Sequence, residues 1–344
     1  MKILMVGLGG IGQRHVRNLR TLMGTNVDII AYRYRNNPQV LTDELKIEAG
    51  SDLVDKYSIK VYTTLNDAMH QKPDVVFICN PSSLHIPVAL QAAQAGCSLF
   101  IEKPLSHTME NVEELIKLVE TRNIKATVGY QMRFHPCLTK LQSLLQGKVA
   151  GRIISVRAEV GEYLPSWHAY EDYRQLYASK SDLGGGVILT QIHELDYLYW
   201  LFGFPKRVFS IGGHLSSLEV DVEDTADILM ECIVENQVVP VSIHLDYIQR
   251  PPVRKCEVLC DQGKILVNFR EFAINVFDGV GNQIEQISFE NYGRNQLFLN
   301  QMKHFVEYLE GNSEMPVTLR DAANSLKIAL AAKKSLQSGK AINL

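Results

Sequence analysis

Hydrophobic residues fall along this chain in two rhythms. Over residues 1–130, short unbroken apolar runs alternate with longer segments whose apolar positions recur every three or four residues. These are the signatures of buried parallel strands and amphipathic helices. An opening strand ends at Gly7, and a helix follows over 11–20. Further strands are predicted at 27–32, 59–63, 74–79, 99–101 and 126–128, and helical segments at 64–70, 86–95 and 111–122. In the last of these Val112, Leu115, Ile116 and Val119 share one face. Gly96 stops the 86–95 helix. The alternation predicts a doubly wound parallel sheet, an α/β domain of the Rossmann type over 1–130.

From residue 151 the period becomes two. Alternating segments at 153–161, 208–214, 227–234, 238–246, 255–260, 264–269, 272–277 and 283–289 are separated by turn signals such as Asp261-Gln262-Gly263. They predict a run of antiparallel strands with one face buried, in a second, α+β domain over 131–344. Helices are predicted after Gly184-Gly185-Gly186, where Ile188, Ile192, Leu195, Tyr199 and Phe202 form one stripe, and at 295–310 and 319–338. The last can pack back on either domain.

Composition narrows the possibilities without adding chemistry. A net charge of −3 gives no reason to expect nucleic acid or an anionic membrane surface as partner. No apolar run approaches the ~18 residues of a membrane span. The chain enters its first strand without a signal-peptide pattern, so a cytoplasmic location is expected. The six cysteines form no C-x-x-C pair and have no histidines at zinc spacing, so no metal site is expected. They read as buried thiols in a reducing compartment.

Candidate chemistry begins at the first strand-to-helix turn. Gly7, Gly9 and Gly12 stand in G-x-G-x-x-G spacing between a strand and a helix. Gly7 makes the turn, Gly9 lets a pyrophosphate approach the backbone, and Gly12 lets helix and strand pack closely. The helix N-terminus, with Gly10 and Ile11, offers N–H groups to phosphate. The acidic residue that usually binds a ribose 2′-hydroxyl at the end of the second strand is missing. Arg33 and Arg35 stand there instead. Two guanidiniums favour NADP, with NAD bound without the acid as the alternative. Asn80, Pro81 and His85 follow another strand at its carboxyl end, the edge where open parallel sheets bind ligands, and Glu102-Lys103-Pro104 reaches the same edge.

The ordered set of Gly7-x-Gly9-x-x-Gly12, Asn80-Pro81 and Glu102-Lys103-Pro104 resembles the Gfo/Idh/MocA oxidoreductases. The resemblance continues through 129–136, through 184–196 and at Pro316-Val317, covering nearly the whole chain. It implies that Lys103 lies beside the nicotinamide and a sugar hydroxyl, with Glu102 at the cofactor. It also implies that His193, after the glycine-rich turn, is the second catalytic residue, and that the open-faced sheet serves as substrate wall and homodimer or homotetramer interface. A partly desolvated lysine beside an oxidised nicotinamide has its ammonium form disfavoured and can exchange a proton. An imidazole at the edge of a buried stripe, near Thr190 and Asp196, can be tuned as acid or base.

For substrate, the aromatic and polar stretch 163–174 suits a sugar, with Tyr163, Trp167 and Arg174 as expected contacts beside Arg133, Thr190, Lys103 and His193. Many members of the family carry an Asp three or four residues before the catalytic histidine. Here Thr190 and Leu189 fill those slots, which puts an inositol-type carboxylate clamp in doubt and suits an amino or acidic sugar. The expected reaction is hydride transfer between nicotinamide and a carbinol carbon of a sugar-like small molecule. Two rivals stand beside it: a nucleotide-binding regulator without turnover, and an enzyme on a non-sugar substrate such as a dihydrodiol or a biliverdin.

Overall fold

The computed structural model describes residues 1–33, 39–43 and 45–344; Arg35 lies outside them. The first domain runs β1 (Lys2–Val6), α1 (Gly10–Met23), β2 (Asp28–Tyr32), a small ladder of β3 (Val40–Leu41) and β4 (Ile47–Glu48), α2 (Leu53–Tyr57), β5 (Lys60–Tyr62), α3 (Leu65–Met69), β6 (Val75–Ile78), α4 (His85–Gln94), β7 (Ser98–Ile101), α5 (Val112–Thr121) and β8 (Ala126–Val128). Six strands form one sheet in the order β5-β2-β1-β6-β7-β8, with every described pairing parallel. The strand order turns back between β1 and β6, so the crevice at their carboxyl ends is the topological switch point. The unbroken apolar runs are explained by burial on both faces: Val75, Val76, Phe77 and Ile78 of β6 are all inside.

The second domain begins with α6 (Pro136–Gln146), followed by β9 (Ile153–Gly161), α7 (Val187–Thr190), α8 (His193–Phe202), β10 (Arg207–Gly213), β11 (Thr225–Val234), β12 (Gln237–Asp246), β13 (Val253–Cys260), β14 (Gly263–Asn268), β15 (Ala273–Asp278) and β16 (Gln283–Ser288). It ends with α9 (Arg294–Glu310), α10 (Leu319–Ser338) and β17 (Ile342–Asn343). Nine strands form one sheet in the order β16-β15-β14-β13-β9-β12-β11-β10-β17. The sheet is mainly antiparallel, as expected, with one parallel pairing that the period could not show. β12 pairs β9 in parallel, because the long 162–236 excursion returns the chain beside β9 in the same direction. Alternation along β12 puts Val239, Val241, Ile243 and Leu245 inside, while Val238 is exposed on the other face.

The two C-terminal helices bind the sheets together. Met302 and Phe305 of α9 sit in the core of the first domain, where the Phe305 ring meets Phe77 and Phe100 edge-on at 5.7 and 5.3 Å. Helix α10 opens with a capping box between Thr318 and Asp321 and ends on left-handed Gly339. Its Ser325 hydroxyl donates to Asp196 at 2.9 Å.

Candidate functional site

The glycine turn fits a dinucleotide diphosphate. Gly7 has φ +97°, a conformation that favours glycine, and a Cβ on Gly12 would stand 2.2 Å from the Gly7 carbonyl oxygen. By contrast, nothing lies within 4 Å of the place a Gly9 Cβ would take. Helix α1 starts there with no side-chain cap and no acid in its first turn, so its N–H groups keep their affinity for an anion. Arg33 follows β2 and is tied by its N–H to the Tyr62 carbonyl at 3.2 Å. Burial lowers its pKa, with Asp52 opposing.

The loops after β6 and β7 are fastened to one another and to α1. Both ring nitrogens of His85 face carbonyl oxygens, Nδ1 that of Pro104 at 2.8 Å and Nε2 that of Asn80 at 2.9 Å. Burial pushes this imidazole below its usual range against the pull of those carbonyls. His85 therefore holds the loop that carries Asn80 and Pro81 against the loop that carries Lys103, whose bond to Pro104 is cis. Glu102 turns inward. Its Oε1 accepts from His15 Nε2 of α1 at 2.6 Å, and its Oε2 accepts the Lys103 N–H at 3.2 Å. The Asn80 side-chain oxygen is buried with no partner among the described residues, an acceptor without a donor at the mouth of the switch point.

Across the cleft, the stripe Ile188–Phe202 is not one helix but two, a correction to the sequence expectation. The Glu194 N–H bonds the Gln191 carbonyl at 3.3 Å rather than Thr190, its partner in an uninterrupted α-helix. The break frees the Thr190 carbonyl, and Lys103 Nζ donates to it at 2.8 Å. Lys103 of the nucleotide domain thus reaches the segment that carries His193. His193 opens α8, 3% exposed, with Gln131 Nε2 donating to its Nε2 at 3.1 Å and no partner for its Nδ1 among the described residues. Burial first, then the charges of Lys103, Arg254 and Arg294, push the imidazole well below its usual range, so it is neutral at pH 7.

Other expected substrate contacts are placed differently. The Thr190 hydroxyl faces inward, donating to the Gly186 carbonyl at 2.6 Å and meeting the Tyr247 hydroxyl. Arg133 is buried in a two-pronged pair with Asp196, at 2.9 and 2.8 Å, and donates to the Pro316 carbonyl at 3.1 Å. Its donors thus tie the start of the second domain to α8 and to the segment before α10, and Asp196 is spent on Arg133 rather than on His193. Arg174 is exposed and held by Asp172 and Glu219 at 2.8 and 3.1 Å. Tyr163 lies under the Arg250 guanidinium at 4.0 Å from its ring centre. Trp167 packs edge-on against Tyr247 at 5.4 Å and leaves its Nε1 without a partner among the described residues.

Sequence reasoning missed Gln131, Tyr247 and a group of arginines. Arg254 pairs bidentately with buried Glu194 at 2.7 and 2.9 Å, Arg270 reaches Glu162 at 3.3 Å, and the exposed Arg294 opens α9. Only the position of Glu194, directly after His193, hinted at the first pair.

Comparison with known proteins agrees with this architecture. Residues 1–130 match the oxidoreductase family with an NAD-binding Rossmann fold, and residues 138–266 match the GFO/IDH/MocA C-terminal domain. The chain belongs to the Gfo/Idh/MocA family of NAD-binding oxidoreductases. The myo-inositol 2-dehydrogenase of Thermotoga maritima is 25% identical, over 100% of this chain and 98% of that protein. The scyllo-inositol 2-dehydrogenase (NAD(+)) of Bacillus subtilis is 22% identical, over 100% and 96%. The WlbA dehydrogenase from Bordetella pertussis, solved in complex with NADH and UDP-GlcNAcA, shares the fold with a TM-score of 0.78 at 21% identity, over 100% of this chain and 98% of that one.

Proposed function

We propose that this enzyme transfers hydride reversibly between a nicotinamide cofactor and a carbinol carbon of a sugar or sugar derivative. The observation that carries the reading is the Lys103 Nζ contact with the Thr190 carbonyl at 2.8 Å, which brings an amine from one domain beside the imidazole of the other. Gly7, Gly9, Gly10, Ile11 and Gly12 would hold the diphosphate, and Asn80, Pro81 and Glu102, with His85 behind them, would shape the nicotinamide end. The bound nicotinamide supplies the hydride acceptor or donor. Lys103 uses one donor on Thr190 and has others for the substrate oxygen. His193, neutral, takes the hydroxyl proton on Nε2, where the substrate hydroxyl would replace the Gln131 amide, during oxidation and returns it during reduction.

The substrates in the names of the inositol relatives, and the nucleotide sugar in the WlbA complex, support the sugar class. The arginines refine it. Lys103, Arg254 and Arg294 all bear on His193, against Glu194, which pairs Arg254, and Glu162, which lies by Arg294 and Arg270; this excess of cations favours a sugar carrying an acidic group over a neutral polyol. Tyr163 and Trp167 supply ring surface on the same wall. Arg33, standing directly after β2 where the ribose-binding acid is usual, favours NADP over NAD. The exposed face of the nine-stranded sheet supports a homodimer or homotetramer, and the six unpaired, buried cysteines suit the cytoplasm.

The test is turnover of a panel of neutral, amino and acidic sugars with both nicotinamide dinucleotides, run beside dinucleotide binding. Lys103→Ala and His193→Ala are expected to bind cofactor as wild type does and to lose about 10²–10⁴ in kcat/KM. Unchanged turnover in both variants overturns the assignment. Dinucleotide binding without oxidation or reduction of any substrate favours the regulator.

A further inference from the structure

The stretch 163–174 reads in sequence as substrate wall. The structure adds a second contact. Its start is fastened just past the end of β12 by the Leu164 N–H on the Tyr247 carbonyl at 2.9 Å, and its end to the loop between β10 and β11 by Arg174 on Glu219 at 3.1 Å. Between these anchors it crosses to the nucleotide domain. A Cβ built on Gly10 would stand 3.2 Å from the Tyr170 hydroxyl and 3.1 Å from a Leu45 methyl. One side of the glycine turn, at Gly9, is therefore open, and the next position is walled by a phenol from the other domain. The phenol is itself set in place: the His168 ring stacks on Tyr170 at 5.2 Å, and His168 Nδ1 meets the Glu171 carboxylate at 2.9 Å. Burial, the charge of Glu171 and a hydrogen bond from the phenol to that carboxylate raise it above its usual range, so the proton stays on, and a diphosphate at the turn would take the place of Glu171 as its acceptor.

We infer that Tyr170 is a cofactor-binding residue whose O–H donates to the diphosphate of the dinucleotide held at the Gly7–Gly12 turn. The inference rests on the proposed dinucleotide site and deepens it. A diphosphate seated on the α1 N–H groups gains a charge-assisted donor from the second domain. The same event fixes the segment that carries Tyr163 and Trp167, so that the substrate wall is completed after the cofactor binds. A tyrosine packed on a glycine turn only to cover apolar surface would lose little as phenylalanine. A tyrosine that donates to an anion would lose the whole hydrogen bond.

The test is binding, independent of turnover. Dissociation constants of NADH, NADPH and ADP-ribose are measured by fluorescence or calorimetry for wild type and Tyr170→Phe. Loss of one hydrogen bond to a charged group corresponds to a rise of about tenfold or more. The rise is expected to be similar for all three ligands, because they share the diphosphate and differ at the nicotinamide and the 2′-phosphate. Amide exchange over 168–172 is expected to slow when ADP-ribose binds to wild type. Constants within twofold of wild type for all three ligands overturn the inference, as does unchanged exchange over 168–172. Failure of wild type itself to bind any of the three overturns instead the dinucleotide site on which the inference rests.

Discussion

His193 has two sources of perturbation with the same sign. Burial disfavours its charged form, and Lys103, Arg254 and Arg294 repel a proton. Its folded value lies well below the ordinary 6.5, so it remains a competent proton acceptor as pH falls past that value. The acid limb of kcat/KM for sugar oxidation is therefore expected well below pH 6.5, and a limb near 6.5 that vanishes in His193→Gln would contradict the geometry. His135 carries the related effect on stability. Its Nδ1 accepts the Cys137 N–H at the start of α6 at 3.2 Å, its ring stacks on Phe272 at 4.7 Å, and burial pushes it down to about 4. An unfolded histidine binds a proton below about 6.5 while the folded one refuses it until about 4, so stability is lost as pH falls through that window. The loss reaches roughly 3 kcal/mol for one buried group. Urea unfolding at pH 7 and pH 4.5 measures it. His135→Asn, which keeps a capping side chain, is expected to show a smaller drop between the two pH values than wild type; an equal drop assigns the effect elsewhere.

At the scale of elements, the Glu102-Lys103-Pro104 loop is positioned by α1 as much as by β7. His15 lies against the stacked Phe77 and Phe100, and its 2.6 Å bond to Glu102 fixes the carboxylate one residue before Lys103. Glu102→Gln keeps the shape and weakens that bond. It is expected to destabilise the protein by about 1–3 kcal/mol in urea unfolding and to lower turnover. Wild-type stability in this variant would show that the buried pair holds nothing. The strands and long helices were legible because burial on both faces, on one face or along one stripe each writes its own period. Helix α6 was not, since Pro136 reads as a breaker until His135 is seen to cap the helix it begins. The break between α7 and α8 was hidden for a related reason: Ile188, Ile192 and Leu195 keep helical spacing across it. The parallel pairing of β9 with β12 was invisible because alternation specifies a face and not a neighbour. Of the candidate site, motif and spacing pointed to the glycines, Lys103 and His193, and the fold adds that the segments of Lys103 and His193 meet. The partners of Arg133 and Arg174 were not legible. An arginine reads alike in sequence whether its partner is a buried aspartate far along the chain or a surface aspartate close by, and only the fold separates the roles of Asp196 and Asp172.

At the scale of the molecule, the two domains are held at a fixed cleft by groups that cross between them. The Thr127 hydroxyl of β8 donates to the Val317 carbonyl at 2.9 Å, Lys103 Nζ to the Thr190 carbonyl at 2.8 Å and the Ser82 hydroxyl to the Gly184 carbonyl at 3.2 Å, while Arg133, Asp196 of α8 and Ser325 of α10 bind the second domain to itself. One face of the nine-stranded sheet packs on these helices. The other carries Ile211, Leu229, Val238 and Leu259, exposed at 66, 49, 61 and 41%. The register confirms that they share that face: Phe209 stands opposite Leu229, Leu229 opposite Ser242, and Ser242 opposite Arg157. Apolar side chains at this spacing, mixed with Asp227, Glu231 and His244, suit a second copy of the same sheet better than open water. Leu229→Arg places a cation on β11 between the strands that carry Ile211 and Val238, in the middle of these exposed apolar side chains. Wild type is expected to sediment as a dimer or tetramer, and the variant as a smaller species with an unchanged circular dichroism spectrum. A wild type that remains monomeric up to concentrations of tens of micromolar, or a variant that assembles as wild type does, would leave this face without a partner of its own kind. Because Lys103, His193 and Tyr170 all come from one chain, dinucleotide binding should survive in the dispersed variant, which separates the site from the assembly.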